Sequence, residues 1–190
     1  MYSHYKNKKI TLLLKLDLKK AYDCVSWDFL HLILVQTGFS VSSISWIMSC
    51  VTSASFAVLI NGETLTFFNS ERGLRQVCRV SPLFFILIME SLNILLKQGQ
   101  EAENLTGVKV SRVVKILHLI FVDDVLIMTK ETTAKLQLVK NILDKLYSAL
   151  GLRINHNKST FHYAGLDDAN LVSFNELLAY NFMELASSFK

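Results

Sequence analysis

A single proline and seven glycines in 190 residues exclude a collagen-like or proline-rich linker protein. Cysteine is almost as scarce. Cys24, Cys50 and Cys78 are odd in number and far apart, with no CxxC or Cys/His cluster. That spacing argues against a disulfide framework or a structural zinc site and suits a reducing compartment, the cytosol or nucleus. Charge is sparse too, at 19%, below the usual quarter. No long apolar run appears. The stretch between Asp28 and Glu63 lacks Asp, Glu, Lys and Arg, but Gln36, Gly38 and several serines break it. Pro82 to Met89 is apolar but ends at Glu90. Neither reaches the roughly 18 residues a membrane span needs, so no membrane partner is expected. Ile10 to Leu14 is too short for the core of a signal peptide, and secretion is not expected.

What is present is apolar. Hydrophobic residues make up 51% and the mean hydropathy is +0.33. Both values argue against intrinsic disorder. The length suits one domain with a sizeable core. The net charge of +4 permits an acidic partner such as nucleic acid without requiring one.

Strand and helix patterns alternate along the chain. After a basic leader at residues 1–9, Ile10 to Leu18 reads as a buried strand with Asp17 near its end. Ser26 is an N-cap candidate for a helix to Gln36, and Gly38 a plausible stop. A second helix covers Val41 to Val51. Asn61-Gly62 joins two β-prone runs, Ala54 to Ile60 and Thr64 to Phe68, as a hairpin. Ser81 as N-cap and Pro82 at the first helical position open an apolar helix to about Lys97. Val113 to Phe121 and Val125 to Met128 read as strands flanking Asp123 and Asp124. Ala134 to Leu150 has the stripe of an amphipathic helix, ended by Gly151. Thr160 to Ala164 reads as a short strand, and Asn170 to Leu185 as a helix within a weakly patterned tail, residues 165–190. The order β-α-α-β-β-α-β-β-α-β indicates an α+β fold.

The chemistry concentrates in Asp17, Asp123 and Asp124. Aspartate is depleted in strands and is almost never buried unpaired. Adjacent carboxylates repel, and a divalent cation relieves the repulsion. Hard oxygen ligands suit Mg²⁺, with Mn²⁺ as a substitute, and a third carboxylate from a neighbouring strand would complete a two-metal phosphoryl-transfer site. Taken alone, an Asp-Asp pair is just as well a polar hairpin turn.

Context tips the balance. Lys15-Leu-Asp-Leu-Lys-Lys-Ala-Tyr-Asp23, Arg72-Gly-Leu-Arg-Gln76 with Ser81-Pro82, Phe121-Val-Asp-Asp124 and Gly151-Leu-Arg-Ile-Asn-His-Asn-Lys-Ser159 follow in this order. Together they resemble the reverse transcriptase domain of non-LTR (LINE-type) retrotransposons of the plant style, over about Thr11 to Gly165. The resemblance implies a polymerase palm-like antiparallel sheet with helices on one face, at residues 10–164, with fingers and thumb largely missing. It implies that Asp17, Asp123 and Asp124 are the metal-binding catalytic carboxylates. Leu18, Lys20 and Ala21 would contact a deoxynucleoside triphosphate. Tyr22 would exclude a ribose 2′-OH, Gln76 would lie near nucleotide and template, and Lys158 near the triphosphate. Arg72, Arg75 and Arg79 would face nucleic-acid phosphates. The implied partners are an RNA or DNA template-primer and deoxynucleoside triphosphates.

Each residue also has a plainer reading: Tyr22 as a core aromatic, Asp23 and Asp28 as caps or surface groups, the arginines as a solvated loop, His118 as a core histidine and His156 as exposed. Departures from the family pattern matter as well. Val77 stands where a glycine is expected and Arg79 where a proline is. A β-branched residue resists the positive φ that glycine permits. Val122 replaces an alanine, at little expected cost. The missing flanks suggest a palm-centred part of a larger polyprotein, whose uncovered apolar patches would favour self-association. The alternatives are a non-catalytic retrotransposon remnant with weak nucleic-acid binding, a receiver-like phosphoacceptor domain and a membrane-associated domain. The receiver order, with the acidic pair first and the lone Asp later, is reversed here.

Overall fold

The computed structural model describes residues 11–102, 105–130, 133–164, 172, 174 and 181–184. The basic leader and most of the tail lie outside the described residues. In chain order the elements are β1 (Thr11–Asp17), α1 (Ala21–Cys24), α2 (Trp27–Gln36), α3 (Val41–Thr52), β2 (Ser55–Phe56), β3 (Leu59–Ile60), β4 (Glu63–Thr64), β5 (Phe68–Asn69) and α4 (Ser81–Ala102). They continue with β6 (Val108–Lys109), β7 (Lys115–Ile116), β8 (His118–Phe121), β9 (Asp124–Thr129), α5 (Thr133–Leu150), β10 (Thr160–Ala164) and β11 (Asn181–Glu184). The mixture is the expected α+β palm-like arrangement. Two compact units divide it: Met1–Lys19 with Met89–Leu146 and Ile154–Lys190, and Lys20–Ile88 with Tyr147–Arg153.

The first unit holds a five-stranded sheet in the order β11-β10-β1-β9-β8. Its centre, β1, alternates buried Leu12, Leu14 and Leu16 with Leu13, Lys15 and Asp17, the period-two signature of a pleated strand. The buried face continues across the ladder, because Leu14 pairs with Ile127 on β9 and Leu16 with Val125, and Leu14 also opposes Phe161 on β10. Such cross-strand apolar pairs are the stabilising unit of a sheet. On α5, Leu136, Val139, Leu143 and Leu146 are buried at helical spacing. Helices α4 and α5 approach closely at Gly99, where an added Cβ would lie 3.1 Å from Ile142 Cδ1.

Three expectations need correction here. Asn170 to Leu185 is not one helix, because Asn181–Glu184 forms β11. This strand also pairs in parallel with β10, so the sheet is not wholly antiparallel. Pairing with a sheet edge overrides local helical preference. The expected strand Val113 to Phe121 is split into β7, which pairs with β6, and β8, which pairs with β9.

The second unit contains α1 to α3 and two short ladders. Ser26 caps α2 as expected, its Oγ accepting from Phe29 N–H at 3.3 Å. The Asn61-Gly62 turn lies between β3 and β4 with both φ values positive, 51° and 89°, as a two-residue hairpin of this kind requires. The flanking runs are shorter than expected, since β2 pairs separately with β5.

Helix α4 begins at Ser81, one residue early, with Phe84 N–H donating to Val80 O at 3.2 Å. By length and composition alone its 22 residues are apolar enough to cross a membrane, a longer apolar element than the sequence reading allowed. Phe85, Ile88, Met89, Leu92 and Leu96 are nevertheless buried within the chain, at the spacing of a core-facing helix stripe.

Candidate active site

Asp17 is the last residue of β1 and sits directly opposite Asp124, the first residue of β9. Directly opposed residues of an antiparallel pair share one face, with Cβ atoms about 5 Å apart, and like charges there are destabilising. The sequence therefore places two carboxylates against each other at the end of a ladder whose other face is core. Lys15, two residues back on the same face, brings its Nζ to 4.0 Å from Asp124 Oδ1. Both groups are nearly half exposed, so this pair offsets little of the repulsion.

Asp17 is held from the segment after α5. The ladder between β1 and β10 ends at Lys15 and Thr160, and one turn of chain takes over from there. Ser159 Oγ accepts from Asp17 N–H at 3.1 Å. Asn155 N–H donates to Asp17 O at 2.8 Å, and the Asn155 side-chain amide donates to Asp17 Oδ2 at 3.0 Å. Leu18, buried, bridges to Ile154. Lys158 donates its backbone N–H to Asn155 O at 3.1 Å and exposes its side chain. The sequence reading singled out Lys158 in this motif and missed Asn155 and Ser159. Ser159 is fully buried, and its contact with Asp17 spans 142 positions, so no neighbouring residue announced it.

Phe121 pairs with Asp124 and closes the β8–β9 hairpin over Val122 and Asp123. Asp123 is exposed at the tip. Val122 has φ 55°, a conformation that costs a β-branched residue about 1–3 kcal/mol. This position of a two-residue hairpin turn takes positive φ, which strains alanine as well as valine.

Among the described residues no three His, Cys, Asp or Glu side chains converge into an ion cage. The strand pairing sets Asp17 directly opposite Asp124, with Asp123 next in sequence at the exposed hairpin tip. Two hard carboxylates still fit a Mg²⁺-like cation, which commonly takes one or two protein carboxylates and completes its shell with water and substrate phosphates.

His118, expected in the core, is half-buried on β8. Its Nε2 lies 2.9 Å from Asn93 Oδ1, and its buried Nδ1 has no hydrogen-bond partner. Burial holds its pKa below 6.5, the Lys97 charge adds to this and Glu90 opposes it.

The second unit assembles two other motif segments. Lys20, at φ 48°, precedes α1, on which Ala21 is buried. Tyr22 stacks on Phe85 with centroids 4.8 Å apart and keeps part of its surface exposed. The Arg72–Gln76 segment is laced to the same turn. Gly73 N–H donates to Val25 O at 2.8 Å and Leu74 N–H to Tyr22 O at 2.7 Å. Trp27 Nε1–H donates to Gly73 O at 2.7 Å. Only glycine fits position 73, since a Cβ there would sit 2.7 Å from Asp23 O at φ 91°. Gln76 Nε2 donates to Asp23 Oδ1 at 2.9 Å.

Arg72, Arg75 and Arg79 are all exposed, and Arg75 reaches Ser53 O at 3.4 Å. Val77 has φ 64° and is fully exposed at 105%. The backbone thus adopts the glycine conformation that the family pattern implies, with valine in it. Beside it, a cavity of about 310 Å³ is lined by Trp46, Cys50, Val51, Cys78 and Phe84, among others. The Cys78 thiol is held below its ordinary value by hydrogen bonds from Val80 N–H and from the Ser81 hydroxyl and N–H.

Comparison with known proteins gives a consistent picture. The family model described as "Reverse transcriptase (RNA-dependent DNA polymerase)" matches residues 2–181. The Pol polyprotein of the type-1 retrotransposable element R2 from Popillia japonica is 27% identical over 113 residues, 60% of this chain and 18% of that protein. An uncharacterized mitochondrial protein of Arabidopsis thaliana is 42% identical over 67 residues, 35% of this chain and 55% of that one. The chain therefore spans less than a fifth of the first relative and about half of the second. Apo telomerase from Candida tropicalis, truncated from its C-terminal domain, superposes with a TM-score of 0.64 at 21% identity, covering 87% of this chain and 33% of that one. The same organism's telomerase with a fragment of telomeric RNA gives 0.63 at 16% identity, covering 85% and 28%. At these identities the likeness is one of fold.

Proposed function

Because the chain belongs to the reverse transcriptase (RNA-dependent DNA polymerase) family, and stands with the non-LTR retrotransposon enzymes through its R2 relative, we propose that it carries the carboxylate centre of an RNA-directed DNA polymerase. The observation that carries this reading is Asp17 opposite Asp124 at the end of the β1–β9 ladder. In the proposed reaction the 3′-OH of a primer attacks the α-phosphorus of a deoxynucleoside triphosphate. A new P–O bond forms and pyrophosphate leaves. Asp17 and Asp124 would hold Mg²⁺, or Mn²⁺ in its place, with Asp123 added by the motif. Such ions, when bound, stabilise the attacking and leaving oxygens of an in-line displacement.

The chain's other residues take narrower roles in this proposal. Lys158 presents a cation to the triphosphate and offsets charge on the leaving group. Leu18, Lys20 and Ala21 offer backbone contacts to the nucleotide, Tyr22 selects against a 2′-OH, and Gln76 meets nucleotide and template. Arg72, Arg75 and Arg79 bind phosphates, which position nucleic acid without reading its sequence. The RNA fragment held by the Candida tropicalis telomerase supports an RNA partner. The nucleus or cytoplasm is the proposed compartment.

One observation favours a second reading. Val77 at φ 64° beside Arg79 suits a chain whose nucleotide loop has decayed, leaving salt-sensitive, sequence-independent binding without extension. Exposed Trp46, Phe56, Leu59, Ile60, Phe67 and Phe68 support self-association of the isolated chain, read by light scattering at micromolar concentration.

The test compares thermal midpoints with and without Mn²⁺ for the parent and for Asp17→Asn/Asp124→Asn. A metal-dependent rise in the parent that the double variant lacks supports the assembled centre. Primer extension on an RNA template then separates the polymerase from the remnant. Equal midpoints with and without metal in the parent would remove the carboxylate reading.

A further inference from the structure

We infer that Asn155 is the positioning residue of this centre: its side-chain amide fixes one oxygen of Asp17 and leaves the other for a divalent cation. The inference rests on the carboxylate reading above.

Three bonds from one turn converge on Asp17. Two engage its backbone, from Ser159 Oγ and from Asn155 N–H. The third, from Asn155 Nδ2 to Asp17 Oδ2 at 3.0 Å, is the only one that touches the carboxylate. Among the described residues no hydrogen bond or ion pair reaches Asp17 Oδ1. The two backbone bonds suffice to set where β1 ends. The side-chain bond adds nothing to that and instead sets the rotation of the carboxylate about its own axis.

The chemical type of the donor matters. An amide is neutral, so it orients Asp17 without cancelling its charge. A lysine or arginine in its place would orient the carboxylate and compete with the cation. Asp124 shows the contrast, since its neighbour Lys15 is a cation held loosely at 4.0 Å. Hydrogen-bonded partners of ligating carboxylates set ligand orientation, and losing one commonly costs 10–100-fold in metal affinity.

The amide also joins two motif segments that lie far apart in sequence. Asn155 accepts Lys158 N–H at 3.1 Å and Ser159 N–H at 2.9 Å on its carbonyl. The turn that carries Lys158 is thereby closed by the same residue that grips Asp17. This explains the Asn-x-x-Lys-Ser spacing from Asn155 to Ser159 in physical terms: one residue closes the turn, another binds Asp17 N–H, and Lys158 lies between them.

The test is Mn²⁺ affinity of the full chain, measured by loss of the free Mn²⁺ electron paramagnetic resonance signal, for the parent, Asn155→Ala and Asp17→Asn/Asp124→Asn. Asn155→Ala keeps its backbone N–H, so its metal-free thermal midpoint should stay within a few degrees of the parent, while its Mn²⁺ affinity falls about tenfold. Asn155→Ser retains a turn-forming side chain but shortens the reach of the donor, and gives the same loss should the alanine variant unfold. Parent-like Mn²⁺ affinity in either folded variant overturns the inference and leaves the carboxylate reading standing. Loss of the folding transition in both overturns it too, in favour of a purely structural asparagine. A parent that binds no Mn²⁺, or binds it as well as the double aspartate variant does, removes the carboxylate reading itself.

Discussion

Gln76 donates its side-chain amide to Asp23 Oδ1 across 2.9 Å, joining two residues 53 positions apart on exposed backbone. With Gly73 and Leu74 bonded to Val25 and Tyr22, it makes the loop before α4 a lid on α1. The loop is therefore a fixed part of the second unit, and its strained positions have measurable energies.

Val77 is the clearest of these. Its side chain is fully exposed, so no buried apolar surface is lost on removing it, while φ 64° costs a β-branched residue about 1–3 kcal/mol. Glycine relieves that strain and loses about 0.4–1 kcal/mol through the unfolded chain. Val77→Gly should therefore raise stability by about 1 kcal/mol, read as a higher urea midpoint at an unchanged slope. A lower midpoint would contradict the strain assignment.

Gly73→Ala should do the opposite. The new Cβ would meet Asp23 O at 2.7 Å in a left-handed conformation, and both strain and overlap are destabilising. A loss of about 2–4 kcal/mol is expected, together with loosening of the Tyr22–Phe85 stack, visible in the near-ultraviolet circular dichroism. An unchanged spectrum and midpoint would show that the loop adjusts freely.

Acid should weaken the fold in a defined window. His118 and His162 both have pKa values lowered below 6.5, first by burial and then by the charges of Lys97 and Lys15 respectively. Below pH 6.5 the unfolded chain takes up protons that the folded chain refuses, so their contribution is present above that pH and is lost as pH falls toward the folded values. The slope of thermal midpoint against pH between about 6.5 and 5 should shrink in His118→Gln/His162→Gln. An identical slope would assign the acid sensitivity to other groups.

Cys78 should react ahead of Cys50, although both are exposed. Hydrogen bonds to its sulfur lower its pKa from 9.0, which raises the thiolate fraction at neutral pH. Brief iodoacetamide treatment at pH 7 followed by peptide mass spectrometry should find Cys78 modified first. Ser81→Ala should slow it. Equal labelling of the two cysteines would remove the proposed hydrogen-bonded thiolate.

Much of this was readable from residue order. Alternating leucines ending in Asp17 made β1 legible, because a pleated strand writes its period directly into the sequence. Ser26 and the Asn61-Gly62 turn were legible because caps and tight turns demand particular side chains. The role of Asn155 was not: it lies in a motif segment, but its bond to Asp17 spans 138 positions. The parallel placement of β11 was equally hidden, because pairing partners are chosen by the finished sheet. At Val122 the residue type was visible, but the sign of its φ was not. The three aspartates stood out together in the sequence, but which two face each other across the ladder was set by the strand pairing.

The pairing of Leu16 with Val125 and of Leu14 with Ile127 has a consequence for how this chain tolerates change. A slip of β9 by one residue would carry Asp124 to the opposite side of the sheet, so the greasy residues act as the alignment gauge for the charged ones. A substitution such as Val125→Ala touches no carboxylate and yet loosens that gauge. Drift in the hidden leucines and valines would thus disturb where Asp124 sits opposite Asp17 without altering either carboxylate.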